Sequence, residues 1–361
     1  MYSEIIRIIE GGLNNDRRKI VSYSNRLASH LEKDGEKALS ASILSTLKKQ
    51  NTQLSTMDSM NIPVDIESRL RIVDIIPSDS TITKIVLSPL VKKEITNFIS
   101  LVNNNDKLEQ FNIPIAKNLL LYGKPGCGKT SIAHYISEHT HLPLVIARLD
   151  AIVSSLLGNT AKNIRRIFDF AQQQPCILFL DEFDAIAKAR DDNHELGELK
   201  RVINSLLQNI DTLPTSCVLI AATNHPQLLD AAIWRRFETS IEVSLPAEEQ
   251  YEELLNICLN GFLTDFSDDT KRKAEIIKCL VGISPSDVKN IINKIKAQSV
   301  IEGSNKLSAI KLLIAAYNFK NKESDLDGLV NFLQAKGMVQ KDICQELNLS
   351  IRQIRNIRSK K

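Results

Sequence analysis

Residues 119–130 read LLLYGKPGCGKT. The apolar run is typical of a buried strand, and the amphipathic pattern of residues 131–139 is typical of a helix. Glycines between them let backbone N–H groups turn toward phosphate oxygens, and the helix adds its positive N-terminal end. In such a loop Lys129 can reach the β- and γ-phosphates, while the Thr130 hydroxyl can ligate Mg²⁺. The stretch therefore predicts a nucleoside triphosphate site formed by Gly123, Lys124, Pro125, Gly126, Cys127, Gly128, Lys129 and Thr130.

The bulk composition sets limits on what surrounds this loop. The chain has 361 residues, which suggests two or three domains, and 43% hydrophobic residues, which can build a core. A net charge of +3 gives no global field that favours nucleic acid or a membrane. Six cysteines lie singly, no apolar run reaches membrane-spanning length, and the first residues lack a secretion signal. We therefore expect a cytoplasmic protein that does not associate with a membrane.

The pattern of the chain divides it into five segments. Short apolar runs alternate with longer helical patterns in the middle, which predicts an α/β fold with a parallel sheet. The expected strands are residues 119–122, 144–148, 177–180, 218–222 and 241–243. The predicted segments are an N-terminal helical domain of about three helices (1–50), a linker (51–80), a large α/β subdomain (81–246), a small helical subdomain (247–320) and a C-terminal segment (325–361).

Acidic and amide side chains follow two of the expected strands. Asp181 and Glu182 end one strand, with Asp184 two residues later, and Asn224 follows another. Adjacent acids at a buried strand end are costly unless a cation or water uses them. Beside a phosphate loop, Asp181 would hold Mg²⁺ through water and Glu182 would polarise the attacking water. A solvated acid pair is the less favoured interpretation, and Asn224 is expected near the γ-phosphate.

Two adjacent arginines, Arg235 and Arg236, follow in the same part of the chain. Paired arginines on a helix usually form a solvated face. If the protein assembles as a ring, however, they could reach the nucleotide of a neighbouring subunit and stabilise charge on the transferred phosphoryl group.

Together these motifs resemble those of the AAA ATPases, of the katanin, spastin and membrane-anchored-protease type, from about residue 85 to 297. The resemblance implies an α/β module with a small helical lid that hydrolyses ATP with Mg²⁺. It also implies a homo-oligomeric ring, commonly a hexamer, that remodels a protein substrate, with Glu182 as catalytic base, Asn224 as water-positioning sensor, and Arg235 and Arg236 as fingers acting in trans. The matching pieces are residues 123–130 (Walker A), 177–182 (Walker B), 222–224 (sensor 1), 229–237 (arginine fingers) and 282–287 (the small-domain motif G-x-S-x-x-D).

The same resemblance places a substrate-gripping pore loop at Leu156 and Leu157. Members of the family normally have an aromatic residue at the position of Leu156. Leucine offers apolar grip but less contact area and no ring stacking, which weakens the case for threading a polypeptide. Residues 191–201 fall where a second pore loop would lie, and a solvated charged turn is an equally good interpretation.

No protease motif accompanies the ATPase motifs. His194 and Glu195 are followed by Glu198 where a zinc-binding helix would need histidine, and no G-x-S-x-G elbow is present. Compact bacterial AAA ATPases with a similar sequence around Asn224 are often encoded beside a subtilisin-like peptidase, including in phage-defence loci. The resemblance therefore implies a separate peptidase as a partner.

Residues 340–358 carry a pattern that resembles a bacterial helix-turn-helix. Apolar positions are spaced for two crossing helices, Asn348 can adopt a left-handed turn, and Ser350 can cap the next helix. A packing or oligomerisation element with a solvated basic face is an equally weighted alternative. The candidate DNA contacts are Arg352, Gln353, Arg355, Asn356 and Arg358.

Three hypotheses follow. The first is a ring-forming ATPase that remodels a protein and delivers it to a peptidase. The second is a DNA-binding regulator whose ATP state controls its assembly on DNA. The third is a nucleotide-dependent scaffold that acts mainly as a sensor and does little mechanical work. The leucine at position 156 favours this hypothesis.

Overall fold

The computed structural model describes residues 2–13, 17–57, 63–64, 71–78, 84–113, 115–147, 149, 157–185, 196–214, 217–321 and 325–359. The chain divides into two compact units. The first comprises Met1–Ile85, Pro89–Lys124 and Lys129–Val243, and the second comprises Val86–Ser88, Pro125–Gly128 and Ser244–Lys361. Contacts between residues thus group the chain into two units. The finer division into five segments stays a prediction.

A six-stranded sheet forms the centre of the first unit, with strand order β1-β3-β4-β5-β2-β6. Every neighbouring pair is parallel except β1 and β3. Strands β2 to β5 are almost wholly buried, as expected when helices cover both faces of a parallel sheet. The predicted α/β class is confirmed. The strands are β1 (Val73–Ile76), β2 (Asn118–Tyr122), β3 (Leu144–Ala147), β4 (Ile177–Leu180), β5 (Val218–Thr223) and β6 (Thr239–Glu242).

The structure differs from the sequence prediction at the edges of this sheet. Residues 51–80 were expected to be a linker, but a helix continues to Met57 and β1 lies within the segment. Strand β1 is short and pairs on one side only, so its four residues carry a weak pattern. Strand β6 begins at Thr239, two residues earlier than expected, because its exposed Ser240 and Glu242 alternate with a buried Ile241 as on an edge strand.

Helices surround the sheet in the first unit. The three N-terminal helices pack in sequence, which confirms the expected helical start of the chain. Helices α7 and α8 pack on each other, and apolar side chains such as Phe168, Leu178 and Leu206 fill the core they share with the sheet. The helices are α1 (Tyr2–Leu13), α2 (Arg17–Lys33), α3 (Lys37–Met57), α4 (Pro89–Asn103), α5 (Asn105–Gln110), α6 (Lys129–Thr140), α7 (Leu157–Gln172), α8 (Leu196–Asp211) and α9 (Ala231–Trp234).

The second unit is helical, with one small pair of parallel strands. Its single core includes Tyr251 and Val288 from the first helices and Val330, Ile343 and Ile354 from the last three. The C-terminal segment is therefore part of the same hydrophobic core. The elements are α10 (Gln250–Leu259), β7 (Leu263–Thr264), α11 (Thr270–Leu280), α12 (Pro285–Ile301), β8 (Lys306–Leu307), α13 (Ala309–Lys320), α14 (Leu326–Ala335), α15 (Gln340–Leu347) and α16 (Ile351–Ser359).

All six cysteines are free thiols. Within the described residues, no helix combines the length and the apolar character that crossing a bilayer would require.

Candidate functional site

The carboxyl ends of three neighbouring strands bring the predicted site residues to one edge of the sheet. Strand β5 lies between β4 and β2, with Leu180 opposite Ala221 and Tyr122 opposite Thr223. The Gly123 N–H donates to the Thr223 carbonyl at 3.3 Å. The phosphate loop, the acid pair and Asn224 therefore leave the sheet side by side, at the edge where parallel α/β sheets bind ligands.

Glycine is required at the start of the phosphate loop for a steric reason. Gly123, Gly126 and Gly128 have φ angles of 142°, 76° and 101°, a region that side chains rarely allow. A Cβ on Gly123 would clash with the backbone carbonyl oxygen of Val243. The loop therefore depends on these glycines for its backbone path.

The tip of the loop, Pro125–Gly128, belongs by its contacts to the helical unit. The Gly126 carbonyl accepts a hydrogen bond from the Ser286 N–H at 3.2 Å. Ser284 caps α12: its Oγ accepts from the Asp287 N–H at 3.2 Å and donates to the Asp287 carboxylate at 2.6 Å. A Cβ on Gly126 would approach Ser284 Oγ to 2.5 Å. The motif at residues 282–287 thus builds a helix cap against the loop tip.

Lys129 lies inside the loop rather than in solvent. Its side chain is buried, and Nζ donates to the carbonyls of Gly123 at 2.8 Å and Lys124 at 3.0 Å. A buried ammonium is costly unless it is hydrogen-bonded, and the loop supplies those partners. The positive charge is therefore held against the backbone at the start of the loop.

The Thr130 hydroxyl and the Asp181 carboxylate converge across the strand edge. Thr130 Oγ1 donates to Asp181 Oδ2 at 2.9 Å, and Asp181 Oδ1 accepts from the Glu182 N–H at 2.9 Å. A hydroxyl and a carboxylate are hard oxygen donors of the kind that Mg²⁺ prefers. The donor set therefore fits the metal that the sequence predicts.

Glu182 has an unusual backbone conformation. Its φ is 49°, in the left-handed region that a non-glycine residue adopts at a cost of order 1–3 kcal/mol. Neighbouring hydrogen bonds hold it there: the Phe183 N–H donates to the Ala222 carbonyl and the Ala185 N–H to the Glu182 carbonyl, both at 2.8 Å. Its side chain is exposed. The strain falls on the residue that the sequence predicts to act on water.

Asp184 has a structural role that the sequence analysis missed. It is buried, with 2% of its surface exposed, and its Oδ1 accepts from Thr223 Oγ1 at 2.9 Å and from the Asn224 N–H at 3.3 Å. The same threonine hydroxyl accepts from the His225 N–H at 3.0 Å. A buried carboxylate thus fixes the turn that carries Asn224. The D-E-x-D spacing of residues 181–184 could have drawn attention to Asp184. Its hydrogen-bond partner Thr223, however, lies 39 residues away in the sequence.

The two adjacent arginines differ, although the sequence predicted the same role for both. Arg236 makes a bidentate pair with Asp211, with Nε–Oδ1 and Nη2–Oδ2 distances of 3.1 Å, and its Nη1 donates to the Ala232 carbonyl at 2.8 Å. Arg235 is exposed and forms no ion pair with the described residues. One guanidinium is therefore held within its own chain and the other is presented to solvent.

The segment that carries the arginines is firmly anchored. Asp230 caps the short helix α9 by accepting from the Ile233 N–H at 2.9 Å. Trp234 meets Tyr122 edge to face with ring centroids 5.3 Å apart, and Phe237 meets Phe183 at 6.0 Å. The anchoring residues Tyr122 and Phe183 belong to the same sheet edge as the phosphate loop and the acid pair.

The predicted pore loops fall largely on residues that are not described. Leu156 lies outside the described residues, as do residues 191–195 of the second predicted loop. Leu157 is the first residue of α7, and its side chain is outside the description. These assignments stay predictions.

The predicted DNA contacts lie on α16, but one of them has another task. Arg352, Arg355 and Asn356 are exposed, and the Arg358 side chain lies outside the description. Gln353 Oε1 accepts hydrogen bonds from both the N–H and the hydroxyl of Ser350, each at 2.8 Å. This side chain completes a capping box, and its assignment as a DNA contact stays a prediction.

A parallel sheet with a phosphate loop after one strand and an acid pair after another defines the P-loop class of nucleotide-binding proteins. The family model described as "ATPase family associated with various cellular activities (AAA)" matches residues 119–245. An uncharacterized AAA family ATPase of Sinorhizobium fredii is 33% identical over 293 residues, covering 81% of this chain and 86% of that protein.

Two further relatives match the ATPase part. A putative 26S proteasome regulatory subunit homolog of Methanocaldococcus jannaschii is 34% identical over 43% of this chain, and the ATP-dependent zinc metalloprotease FtsH of Borreliella burgdorferi is 33% identical over 56%. The matches span 44% and 33% of those two proteins. The chain belongs to the AAA family of ATPases, and its activity is ATP hydrolysis.

Proposed function

We propose that this ATPase works as a homo-oligomeric ring, a hexamer, that couples ATP hydrolysis to the remodelling of a protein partner. The observation that carries the proposal is the exposed Arg235 on a segment anchored to the nucleotide edge, beside an Arg236 that is engaged within the chain. Relatives named as a proteasome regulatory subunit homolog and a metalloprotease favour a protein as the substrate class.

Within one subunit, the chain's own groups divide the work of binding and hydrolysis. Backbone N–H groups of the phosphate loop and Lys129 bind the phosphates of ATP. Thr130 and Asp181 hold Mg²⁺, which supplies positive charge against the phosphate oxygens when it is bound. Glu182 orients the attacking water and accepts its proton, while Asn224 holds that water near the γ-phosphate.

A neighbouring subunit completes the site. Arg235 reaches the γ-phosphate of the adjacent protomer, where a guanidinium supplied in trans typically contributes about 10³–10⁵ in rate. Arg236 pairs with Asp211, the last residue of α8, and this ion pair holds the segment that carries Arg235 in place. Hydrolysis therefore depends on assembly, because a solitary subunit lacks one of the charges its site needs.

A protein that is remodelled in this way can be passed to a peptidase. The match to the zinc metalloprotease spans a third of that relative, and this chain's sequence carries no protease motif. We infer that any proteolysis is carried out by a separate peptidase chain, in a bacterial defence setting. Co-expression with a candidate peptidase tests this inference: cleavage of a shared substrate should require both chains and ATP. Cleavage by either chain alone would contradict it.

The catalytic assignment is tested with Glu182→Gln, with Glu94→Gln on the exposed face of α4 as the matched control. Loss of the general base should lower kcat by about 10²–10⁴. ATP binding, measured by calorimetry, should persist, and the assembly should be stable in ATP by analytical ultracentrifugation. The control should behave as the parent protein. Brisk hydrolysis by Glu182→Gln would overturn the assignment.

The substrate class is tested with the same trapped variant. A protein that is retained by Glu182→Gln only when ATP is present, and released by the parent enzyme during hydrolysis, supports remodelling of proteins. Retention of nucleic acid without any protein would contradict that class.

A further inference from the structure

The last three helices of the chain form a compact trihelical arrangement. Helix α16 packs against both α14 and α15, and Ile343 and Ile354 are fully buried within the same core. Helices α15 and α16 are joined by three residues, Asn348 to Ser350. Two helices joined by such a short turn and packed on a third have the geometry of a helix-turn-helix.

The turn between α15 and α16 is fixed by its own hydrogen bonds. Asn348 has a φ of 53°, and the N–H groups of Asn348 and Leu349 both donate to the Cys344 carbonyl. Ser350 Oγ accepts from the Gln353 N–H at 3.3 Å, while the Gln353 side chain closes the capping box from the other direction. The start of α16 is therefore held in one orientation, as a recognition element requires.

One face of α16 is polar and positively charged. Arg352, Arg355 and Asn356 are exposed at relative positions i, i+3 and i+4, so they share a face, whereas Ile354 and Ile357 pack into the core. Among the described residues, neither Arg352 nor Arg355 takes part in an ion pair. The sequence from Ser350 to the end contains five basic residues (Arg352, Arg355, Arg358, Lys360 and Lys361) and no acid.

Several basic side chains elsewhere in the helical unit have acidic partners. Lys273 pairs with Glu252 at 2.7 Å, and Lys336 pairs with Glu275 at 2.7 Å, which lowers the pKa of that glutamate. The described arginines of α16 lack this neutralisation, so the helix presents a concentrated cationic surface on a rigid scaffold. Such a surface attracts a polyanion.

We propose that α16 binds duplex DNA in the major groove. An α-helix fits that groove, and an arginine can make two hydrogen bonds to guanine, while an asparagine can do so with adenine. Arg352 and Arg355, in the first two turns of the helix, contact base edges and phosphates, and Asn356 lies beside them. This function goes beyond the proposed remodelling cycle and does not require hydrolysis.

A single module of this size makes few contacts, so each copy binds weakly at physiological salt. Several copies in one assembly would bind far more tightly through avidity, a step that rests on the proposed ring.

The test is fluorescence anisotropy of a labelled duplex of about 30 base pairs, titrated with the full-length protein without nucleotide. The variant is Arg352→Glu with Arg355→Glu. The control is Lys289→Glu with Lys294→Glu, which changes the charge equally on the exposed face of α12 in the same unit. Affinity for DNA should fall at least tenfold in the variant, and the slope of log K against log salt should fall by about two. The control should stay within about threefold of the parent protein.

Three results would overturn the proposal. Equal affinity of the Arg352/Arg355 variant and the parent protein is one, and an equal loss in the Lys289/Lys294 control is the second. The third is tighter binding to duplex RNA or to vesicles of anionic phospholipid than to DNA. Circular dichroism establishes that each variant is folded, and an Arg352→Gln/Arg355→Gln pair repeats the test if charge reversal unfolds the protein. Because nucleotide is absent, the outcome is independent of the Glu182 experiment.

Discussion

The two ends of the parallel sheet use polar residues in opposite ways. At the carboxyl end, Thr130 donates to Asp181, Asp184 accepts from Thr223, and Glu182 is held in a strained conformation. At the amino end, Lys117 precedes β2 with 4% of its surface exposed, and burial lowers its pKa from 10.5 to about 8.

The thiols that precede two other strands complete this contrast. Cys176 and Cys217 lie before β4 and β5, and both are buried. The hydrogen bond to the Cys217 thiol, together with burial, raises the pKa of Cys176. Burial at the amino end therefore disfavours the charged form of these groups, whereas the carboxyl end holds its acidic side chains in specific hydrogen bonds. The residues before these strands contribute to packing. The loops after the strands carry the groups that bind and stabilise charge.

The largest expected effect lies beyond the carboxyl end, where we propose that a neighbouring subunit completes the site. Arg235→Ala should lower kcat by about 10³–10⁵, because the transferred phosphoryl group loses a guanidinium supplied in trans. Arg236→Ala should lower it less, since its pair with Asp211 is partly exposed and such pairs contribute about 0–1 kcal/mol to stability. Steady-state ATPase rates of the two variants at equal concentration make the comparison. A larger loss in the Arg236 variant would reverse these roles.

A smaller effect is expected at the turn that positions Asn224. Asp184→Ala leaves the Thr223 hydroxyl and the Asn224 N–H without their acceptor, which should cost about 1–3 kcal/mol of stability. The shifted Asn224 should lower kcat by roughly 10–100-fold with little change in KM. Asp184→Asn retains an acceptor oxygen and should recover most of both losses. If kcat stays normal in the alanine variant, Asp184 is structural only.

The smallest effect concerns stability at the amino end. The folded-state pKa of Lys117 lies below its unfolded value, so between about pH 8 and 10.5 the unfolded chain binds more protons and stability rises with pH. Lys117→Met removes this contribution. Relative to the variant, the parent protein should gain about 3 kcal/mol of stability between pH 7 and pH 10.5. Urea unfolding of both proteins across this pH range measures the free energy of unfolding. If the two free energies change with pH in parallel, the pKa of Lys117 is not lowered by burial.

Features that depend on contiguous residues could be predicted from the sequence. The four strands β2 to β5 are short apolar runs, and the phosphate loop and the acid pair are contiguous motifs. Strand β1 was missed because its four residues are half-buried at the edge of the sheet. The division of roles between Arg235 and Arg236 could not be predicted, because it depends on Asp211, 25 residues away. Asp184 was missed for the same reason, since its role depends on a distant threonine.

In the proposed ring, each ATP site takes its general base from one subunit and its arginine finger from the next. Glu182→Gln and Arg235→Ala should each be nearly inactive alone. When the two are mixed in equal amounts and allowed to exchange subunits, some sites combine an intact Glu182 with an intact neighbouring Arg235. We expect recovery toward roughly a quarter of the parent rate, the statistical share of such interfaces in a head-to-tail ring. No recovery in assemblies that demonstrably contain both variants would contradict it.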